Sequence, residues 1–303
     1  MLRIGLIAEF NPFHNGHIFL LKKIKEIYPD SKIIVALSSN YTQRGEIACS
    51  SFSTRKKICK KYGVDKVIKL DFETSTQAAH VFAKGAIDKL NKNKIDVLFF
   101  GTSDTNDINK YIKASKLIKG NKEQYDKNVK KILKTGKSFI FACYESLKLF
   151  LDEKEIPEDI LGFEYTKYVI NNNINIKLNC IKRSISHHSQ DISDEYASGT
   201  KLREMIKNNE DISKFSPLKI KKVKRIEDTY KKFKKIIVKT NANKLSKIKL
   251  MSEGMENLFK KNIQANSYDE FINLCTSKRY TSSRIKRVYL YVLKKKIKKN
   301  QTN

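Results

Sequence analysis

Residues 5–17 read Gly-Leu-Ile-Ala-Glu-Phe-Asn-Pro-Phe-His-Asn-Gly-His, an apolar segment followed at once by two histidines beside a glycine. The Ile- and Leu-rich run at 2–7 predicts a first β-strand, and apolar residues at helical spacing over 16–27 predict a helix directly after it. A strand that passes straight into a helix presents the N-terminal amides of that helix where an anion can bind.

The same alternation continues outward along the chain. Further strands are predicted at 32–37, 66–70 and 95–100, with helices between them at 52–62 and 77–90. Alternating strands and helices predict an α/β fold with a Rossmann-like parallel sheet, whose ligands bind at the carboxyl ends of the strands. Later strands are predicted at 138–143 and 174–181, and a helix at 199–206.

The His14-x-Gly16-His17 motif is the HxGH signature of nucleotidylyltransferases. Gly16 is expected to allow a tight turn, and two imidazoles near one face of that turn can donate hydrogen bonds to ATP phosphates as charge shifts in the transition state. The alternative is a pair of surface histidines at a helix N-terminus. The position of the motif, directly after a predicted strand, favours the catalytic interpretation.

A second motif, Ala-Ser-Gly-Thr-Lys-Leu-Arg at 197–203, matches the ISSTxIR-type stretch of the same superfamily. Thr200 is expected to cap the following helix, and Arg203, one turn later, to reach a β- or γ-phosphate oxygen. The alternative is an ordinary capped surface helix.

Composition restricts the class of protein. The net charge of +30 favours a polyanionic partner, nucleic acid before an anionic membrane, although compositional drift in a Lys-rich chain is the alternative. Five scattered cysteines without a CxxC pair argue against a disulfide framework or a zinc site and fit a reducing cytoplasm. We find no apolar run long enough to span a membrane and no signal peptide, and predict no metal site and no stable protein partner.

The last hundred residues are the most basic. Residues 217–249 carry 13 Lys or Arg against 2 acids, and residues 278–299 carry 10 and no acid. The pattern predicts a catalytic domain over 1–210 and a basic, mainly helical domain over 211–303 that binds nucleic acid. Tyr280, Tyr289 and Tyr291 either stack on unpaired bases or belong to a helix core. The predicted phosphate contacts are Lys278, Arg279, Arg284, Lys286 and Arg287.

Ordered stretches over almost the whole chain resemble the tRNA(Met) cytidine acetate ligase family. They include GLIAEFNPFHNGH at 5–17, SSNYTQRGE at 38–46, LFFGTSDTNDI at 98–108, ILGFEYTKYV at 160–169, ASGTKLR at 197–203 and SKRYTSSRIKRV at 277–288. The resemblance implies a two-step reaction. Acetate and ATP form acetyl-adenylate and pyrophosphate, and the acetyl group then moves to the wobble cytidine of elongator tRNA(Met), with Mg²⁺ expected alongside ATP.

The resemblance also implies site residues. His14 and His17 are the expected catalytic pair. The expected ATP contacts are Ile7, Ala8, Glu9, Phe10, Asn11, Pro12, Phe13, Asn15, Gly16, Ile18, Phe19, Leu20, Gly101, Asp159, Arg183, Thr200 and Arg203. Gly101 is expected to let an adenosine approach the backbone. Arg44 and His188 are further candidates for binding substrate or ATP.

Two positions depart from the family pattern. Asp159 stands where the family usually has Asn, so it suits a contact to an adenine amine but would repel a phosphate. Ser189 follows His188 where the family tends to have an acid, which leaves no carboxylate there for a metal or a base. Two other hypotheses therefore stay open: a small-molecule adenylyltransferase of the pantetheine-phosphate or nicotinamide-nucleotide type, and a non-catalytic RNA-binding relative.

Overall fold

The structure, a computed structural model, describes residues 1–183, 195–220 and 223–296. Within them the chain forms the strands β1 (Arg3–Ala8), β2 (Lys32–Leu37), β3 (Lys66–Lys69), β4 (Val97–Thr102) and β5 (Lys177–Lys182). The helices are α1 (Asn15–Ile27), α2 (Phe52–Lys61), α3 (Phe72–Ser75), α4 (Ala79–Lys92), α5 (Ile108–Gly120), α6 (Lys122–Lys134), α7 (Phe139–Leu147), α8 (Ile160–Asn171), α9 (Gly199–Lys207), α10 (Tyr230–Lys239), α11 (Ala242–Ser246), α12 (Met255–Asn262), α13 (Tyr268–Cys275) and α14 (Ser282–Leu293).

The five strands form one parallel sheet in the order β3-β2-β1-β4-β5, which confirms the predicted fold class. The chain runs outward from β1 to β3 and then returns to the other side of β1. The order therefore reverses between β1 and β4, and the crevice at their carboxyl ends is where such sheets bind ligands.

Alternate residues of the strands fill two separate cores because side chains point to opposite faces of a sheet. Ile33, Val35 and Leu37 pack on one face with α1 and α2, whereas Ile34 and Ala36 pack on the other with α4 and α8. Both faces are covered, which explains the nearly continuous apolar runs of β1, β2 and β4.

The strand predicted at 138–143 is wrong. Ser138 instead caps α7, its Oγ accepting a hydrogen bond from the Phe141 amide at 3.3 Å. Ala142 and Leu147 then face a buried cluster with α5, α6 and α8. A short apolar run fits either a strand or a buried helix by its sequence alone, and here packing decided for the helix.

The C-terminal residues are helical, as predicted, and form their own core from Ile226 to Val292. The tyrosines Tyr280, Tyr289 and Tyr291 belong to this core, so their interpretation as core residues is the one that holds. Tyr41, Ile47 and Phe72 of the first part pack against it. Leu218 packs with the β1 core, so the segment just after the proposed boundary at residue 210 contacts the sheet domain.

Candidate active site

Two histidines close the N-terminus of α1 by capping each other's backbone. His14 is the N-cap, and its Nδ1 accepts from the Gly16 amide at 3.1 Å, while Nδ1 of His17 accepts from the His14 amide at 3.1 Å. The ring centroids lie 3.8 Å apart. Because both Nδ1 atoms accept hydrogen bonds, the proton of each neutral ring lies on Nε2. The motif therefore places two Nε2–H groups at the N-terminus of α1, where the amides of Asn15 and Gly16 already donate to the Phe215 carbonyl and to Nδ1 of His14.

Gly16 is required for a different reason from the one predicted. It lies inside α1 and its φ is not positive, so its backbone makes no turn that only glycine could adopt. A Cβ at this position would lie 3.0 Å from Cε1 and 3.1 Å from Nδ1 of His14. Glycine leaves the room into which the His14 ring folds back over the helix.

The electrostatics of His14 keep its ring neutral. Burial, reinforced by the positive charges of Arg203 and Arg183, lowers the pKa of His14 from 6.5 to about 4. At neutral pH the ring is thus an uncharged donor, and the two arginines carry the positive charge of the site.

The second motif begins α9 and meets the first. Ser198, not Thr200 as predicted, is the N-cap, and its Oγ accepts from the Lys201 amide at 3.1 Å. Thr200 Oγ1 instead accepts from Nη2 of Arg203 at 3.0 Å, and Nη1 of Arg203 donates to the Asn11 carbonyl at 2.9 Å. Arg203 thereby joins α9 to the loop that carries the histidines.

Gly199 marks the point of closest approach. A Cβ here would lie 3.3 Å from Nη1 of Arg203 and 3.8 Å from Nε2 of His14. The N-termini of α1 and α9 consequently converge at the carboxyl end of β1, with two imidazoles and a guanidinium between them. The two helix termini contribute partial positive charge and Arg203 a full charge, an arrangement that can attract an anion.

Three more predicted residues form one cluster at the end of β4. Nη2 of Arg183 donates to the Gly101 carbonyl at 2.7 Å and lies 3.0 Å from Oδ2 of Asp159. The other oxygen of Asp159 caps α8 by accepting from the Gly162 amide at 2.8 Å. A Cβ on Gly101 would lie 3.0 Å from Nε of Arg183, so the glycine makes room for this arginine, whereas the prediction attributed the glycine to an adenosine.

Several residues of the predicted stretch 7–20 hold the two histidines in place by packing against them or by bonding to neighbouring segments. Phe10 and Phe13 are buried, and their rings lie 4.6 and 5.6 Å from the ring of His17. Asn15 Nδ2 donates to the carbonyls of Glu195 and Lys214. Five side chains of this stretch pack wholly or partly in the sheet cores: Ile7, Phe10, Phe13, Ile18 and Leu20. Direct ATP contacts by the residues of this stretch stay predictions.

Arg55 is a positioning residue that the sequence did not reveal. Its fully buried guanidinium donates to the carbonyls of Glu9 at 2.5 Å, Ser50 at 3.2 Å and Ser39. It therefore ties together the segments that follow β1 and β2. A signal was present, because the chain contains only nine arginines among 62 basic residues. Where lysine is so strongly preferred, an arginine marks a place that needs a planar, forked donor.

The loop after β2 reaches the same edge. The Gln43 amide donates to Oε1 of Glu9 at 2.5 Å, and burial raises the pKa of Glu9 despite this hydrogen bond and the nearby charges of Arg203 and Arg44. The charge of Arg44 thus lies close to the site, and its role as a ligand stays a prediction. His188 lies outside the described residues.

The predicted tRNA contacts are not equivalent. Lys278 is exposed, Arg279 and Arg284 pair with Glu253 at 3.2 and 3.5 Å, and Lys286 pairs with Glu46 at 3.1 Å. Arg287 is 8% exposed, and its Nη1 donates to the Gln43 carbonyl at 3.2 Å. The guanidinium of Arg287 thus fastens α14 to the loop after β2, and the phosphate contacts of all five residues stay predictions.

The described residues contain neither a ready metal cluster nor a membrane-spanning helix. Among residues 1–183, 195–220 and 223–296, no group of three or more His, Cys, Asp or Glu side chains could hold a metal ion. Within the same residues, no helix has both the length and the apolar character that crossing a bilayer requires.

Comparison with known proteins agrees with this geometry. The family model for HIGH nucleotidyl transferases matches residues 1–303. A tRNA(Met) cytidine acetate ligase of Mycoplasmopsis synoviae is 50% identical over 97% of this chain and 97% of its own length, and one of Fusobacterium nucleatum is 32% identical over 96% and 76%.

Solved structures give the same result. TmcAL of Thermotoga maritima in its apo form superposes with a TM-score of 0.89 at 27% identity, covering 98% of this chain and 76% of that one. The same protein bound with alpha-thio ATP superposes with a TM-score of 0.86 at 28% identity. The chain belongs to the HIGH nucleotidyl transferase family and, within it, to the tRNA(Met) cytidine acetate ligases.

Proposed function

We propose that this protein is an ATP-dependent acetate ligase acting on the wobble cytidine of elongator tRNA(Met). A carboxylate oxygen of acetate attacks the α-phosphorus of ATP, forming acetyl-adenylate as pyrophosphate leaves. The N4 amine of the cytidine then attacks the acetyl carbonyl, AMP leaves and the amine loses a proton. The relatives named tRNA(Met) cytidine acetate ligase, each matched over nearly the whole of this chain, support the proposal.

The proposed chemistry depends on one observation. The N-termini of α1 and α9 meet, and the position that a Cβ on Gly199 would take lies within 4 Å of both Nε2 of His14 and Nη1 of Arg203. Adenylation needs positioning and charge stabilisation more than a protein nucleophile. The neutral imidazoles of His14 and His17 donate to oxygens that gain charge as pyrophosphate departs. Arg203 and Arg183 supply the permanent positive charge.

ATP is the co-substrate, in accord with the nucleotide-bound relative. The proposal includes Mg²⁺. The residues present fit an ion that binds together with ATP and is coordinated mainly by its phosphates. The Asp159 carboxylate is already engaged by Arg183 and the Gly162 amide, and the described residues offer no preformed cage. Mg²⁺ in such sites is commonly held by the phosphates with few protein ligands.

We further propose that the basic residues after 210 form the tRNA-binding part, with Lys278, Arg279, Arg284 and Lys286 as contacts. The positive charge favours the polyanion and neutralises its phosphates. Five free cysteines fit our proposal that the enzyme works in a reducing cytoplasm.

The direct test supplies radiolabelled acetate, ATP and an elongator tRNA(Met) transcript. We expect acid-stable label in the tRNA, and none when the wobble cytidine is changed to uridine or when ATP is omitted. A folded protein that leaves this transcript unlabelled would count against the proposal. Transfer of AMP to a small molecule without tRNA would support the adenylyltransferase hypothesis instead.

A further inference from the structure

Helix α7 exposes an apolar face that the proposed chemistry does not use. Phe139, Phe141 and Tyr144 are each 40–43% exposed, and Ile140 is 48% exposed. The helix is anchored by its opposite face, where Ala142 and Leu147 pack into a buried cluster. Phe141 and Tyr144, one turn apart, are therefore presented to solvent on one side of α7, whereas Phe139, in the first turn, lies about 160° around the helix axis from Phe141.

The surroundings of these rings are basic. Lys137 Nζ lies 5.1 Å from the centroid of Phe141, and Lys148 Nζ lies 5.0 Å from that of Tyr144, while also pairing with Glu145 and Glu153. Residues 127–148 contain six lysines and one acid. Lysine is depleted from the cores of protein–protein interfaces, whereas aromatic rings among cations are what single-stranded nucleic acid binds.

The first turn of α7 lies near the edge of the sheet that carries the catalytic histidines. The Phe139 ring is 5.1 Å from the ring of His80, in the first turn of α4. Just before that helix, the Gln77 carbonyl accepts from Nε2 of Gln43 at 2.9 Å, and the Gln43 amide binds Glu9 after β1. A short series of contacts thus connects α7 to the loop beside the catalytic histidines.

We propose that Phe141 and Tyr144 form a stacking platform for unpaired bases of the RNA substrate's anticodon loop. The proposal rests on the proposed function, since the wobble cytidine must leave its stack to reach the active site. The tyrosines of the C-terminal core cannot serve this purpose because they are buried. The platform holds neighbouring bases while the lysines neutralise the loop phosphates.

The test uses the full chain with Phe141→Leu and Tyr144→Leu combined, which removes the two rings but keeps apolar side chains. Binding of an anticodon stem-loop RNA is titrated, with 2-aminopurine in the loop to report stacking. We expect Kd to rise by about 10- to 100-fold, the order of one or two lost base–aromatic stacks. The fluorescence quenching should disappear, and acetate-dependent ATP–pyrophosphate exchange should be unchanged.

The matched control is Ile27→Ala at the C-terminal end of α1, where another exposed apolar residue is shortened, and this variant should bind the RNA as the unaltered chain does. Unchanged RNA binding by the double variant overturns the proposal, and so does a parallel loss of exchange activity, which would show a structural role. A dimer that dissociates in the double variant, seen by light scattering, also overturns it in favour of a protein interface. Failure of the unaltered chain to label tRNA contradicts the proposed function instead.

Discussion

The Asp159 carboxylate lies 3.0 Å from Nη2 of Arg183, and its second oxygen caps α8. Asp159 therefore does not present an uncompensated negative charge to a phosphate, which was the difficulty raised by finding Asp where the family usually has Asn. Its ion pair with Arg183 instead weakens the positive charge that Arg183 presents just after β5.

Asp159→Asn should strengthen ATP binding. Asn also caps helices well, so α8 should remain intact, while the charge of Arg183 is no longer neutralised. We expect the KM for ATP to fall about two- to fivefold, in keeping with an ion pair worth roughly 0.5–1 kcal/mol. Steady-state pyrophosphate release measures this. A marked rise in KM would show that the carboxylate itself contacts ATP, as an adenine amine requires.

His17→Gln should separate catalysis from capping. Glutamine at the third helical position still accepts from the N-cap amide, so α1 should begin normally, but the Nε2–H donor is lost. We expect acetate-dependent pyrophosphate release to fall by about 10²- to 10³-fold, the cost of one transition-state donor. Affinity for tRNA should stay the same. A loss smaller than about tenfold would argue that the ring is structural.

His14 should make the protein acid-sensitive. Its folded pKa of about 4 lies below the ordinary 6.5, so between these values the unfolded chain binds more protons and stability falls as the pH falls. His14→Asn lacks this titration and keeps a good N-cap. Between about pH 7.5 and about pH 5, urea unfolding should show the unaltered chain losing roughly 1–2 kcal/mol more than the variant. Equal losses would contradict the assignment.

Gly45→Ala should disturb the contact between α14 and the loop after β2. Gly45 has φ +82°, and a Cβ there would lie 2.5 Å from the Arg287 amide nitrogen. Gly63 is the control, because its φ is +86° and nothing lies within 4 Å of a Cβ. We expect Gly63→Ala to lower the unfolding free energy by about 1 kcal/mol and Gly45→Ala by about 2 kcal/mol more. Equal effects would mean that the clash is relieved at no cost.

Lys278→Ala should weaken tRNA binding through phosphate contact alone. The side chain is exposed on the basic C-terminal part, and losing one phosphate contact should reduce the slope of log K against log salt by about 0.9. Arg287→Lys should leave that slope unchanged because the guanidinium is buried against Gln43. Filter binding over a range of salt concentrations tests both, and an unchanged slope for Lys278→Ala would remove this residue from the interface.

Local sequence determined the elements of the sheet and the first half of the site. Apolar runs separated by helical patterns predicted β1, β2, β3 and β4 and their parallel arrangement. These elements were readable because the spacing of apolar residues that identifies a strand or a helix involves only residues close together in the chain. The motif at the start of α1 was readable for the same reason, because His14, Gly16 and His17 lie close together in the chain, but the capping by the histidines emerged only in the structure. The run at 138–143 failed because its pattern fits both helix and strand, and only burial of Ala142 and Leu147 chose between them.

Tertiary structure alone decided what these local pieces face. Arg203 donates to the Asn11 carbonyl, 192 residues away in the chain, and Arg287 is buried against Gln43, 244 residues away. Arg183, directly after β5, pairs with Asp159 at the N-terminus of α8. The scarcity of arginine in this chain suggests that each of the three is needed as a forked donor, but it does not reveal the partner. Whether a cation binds phosphate, neutralises a carboxylate or holds a loop depends on which carbonyls and charges folding places around it, and local sequence patterns do not specify those neighbours.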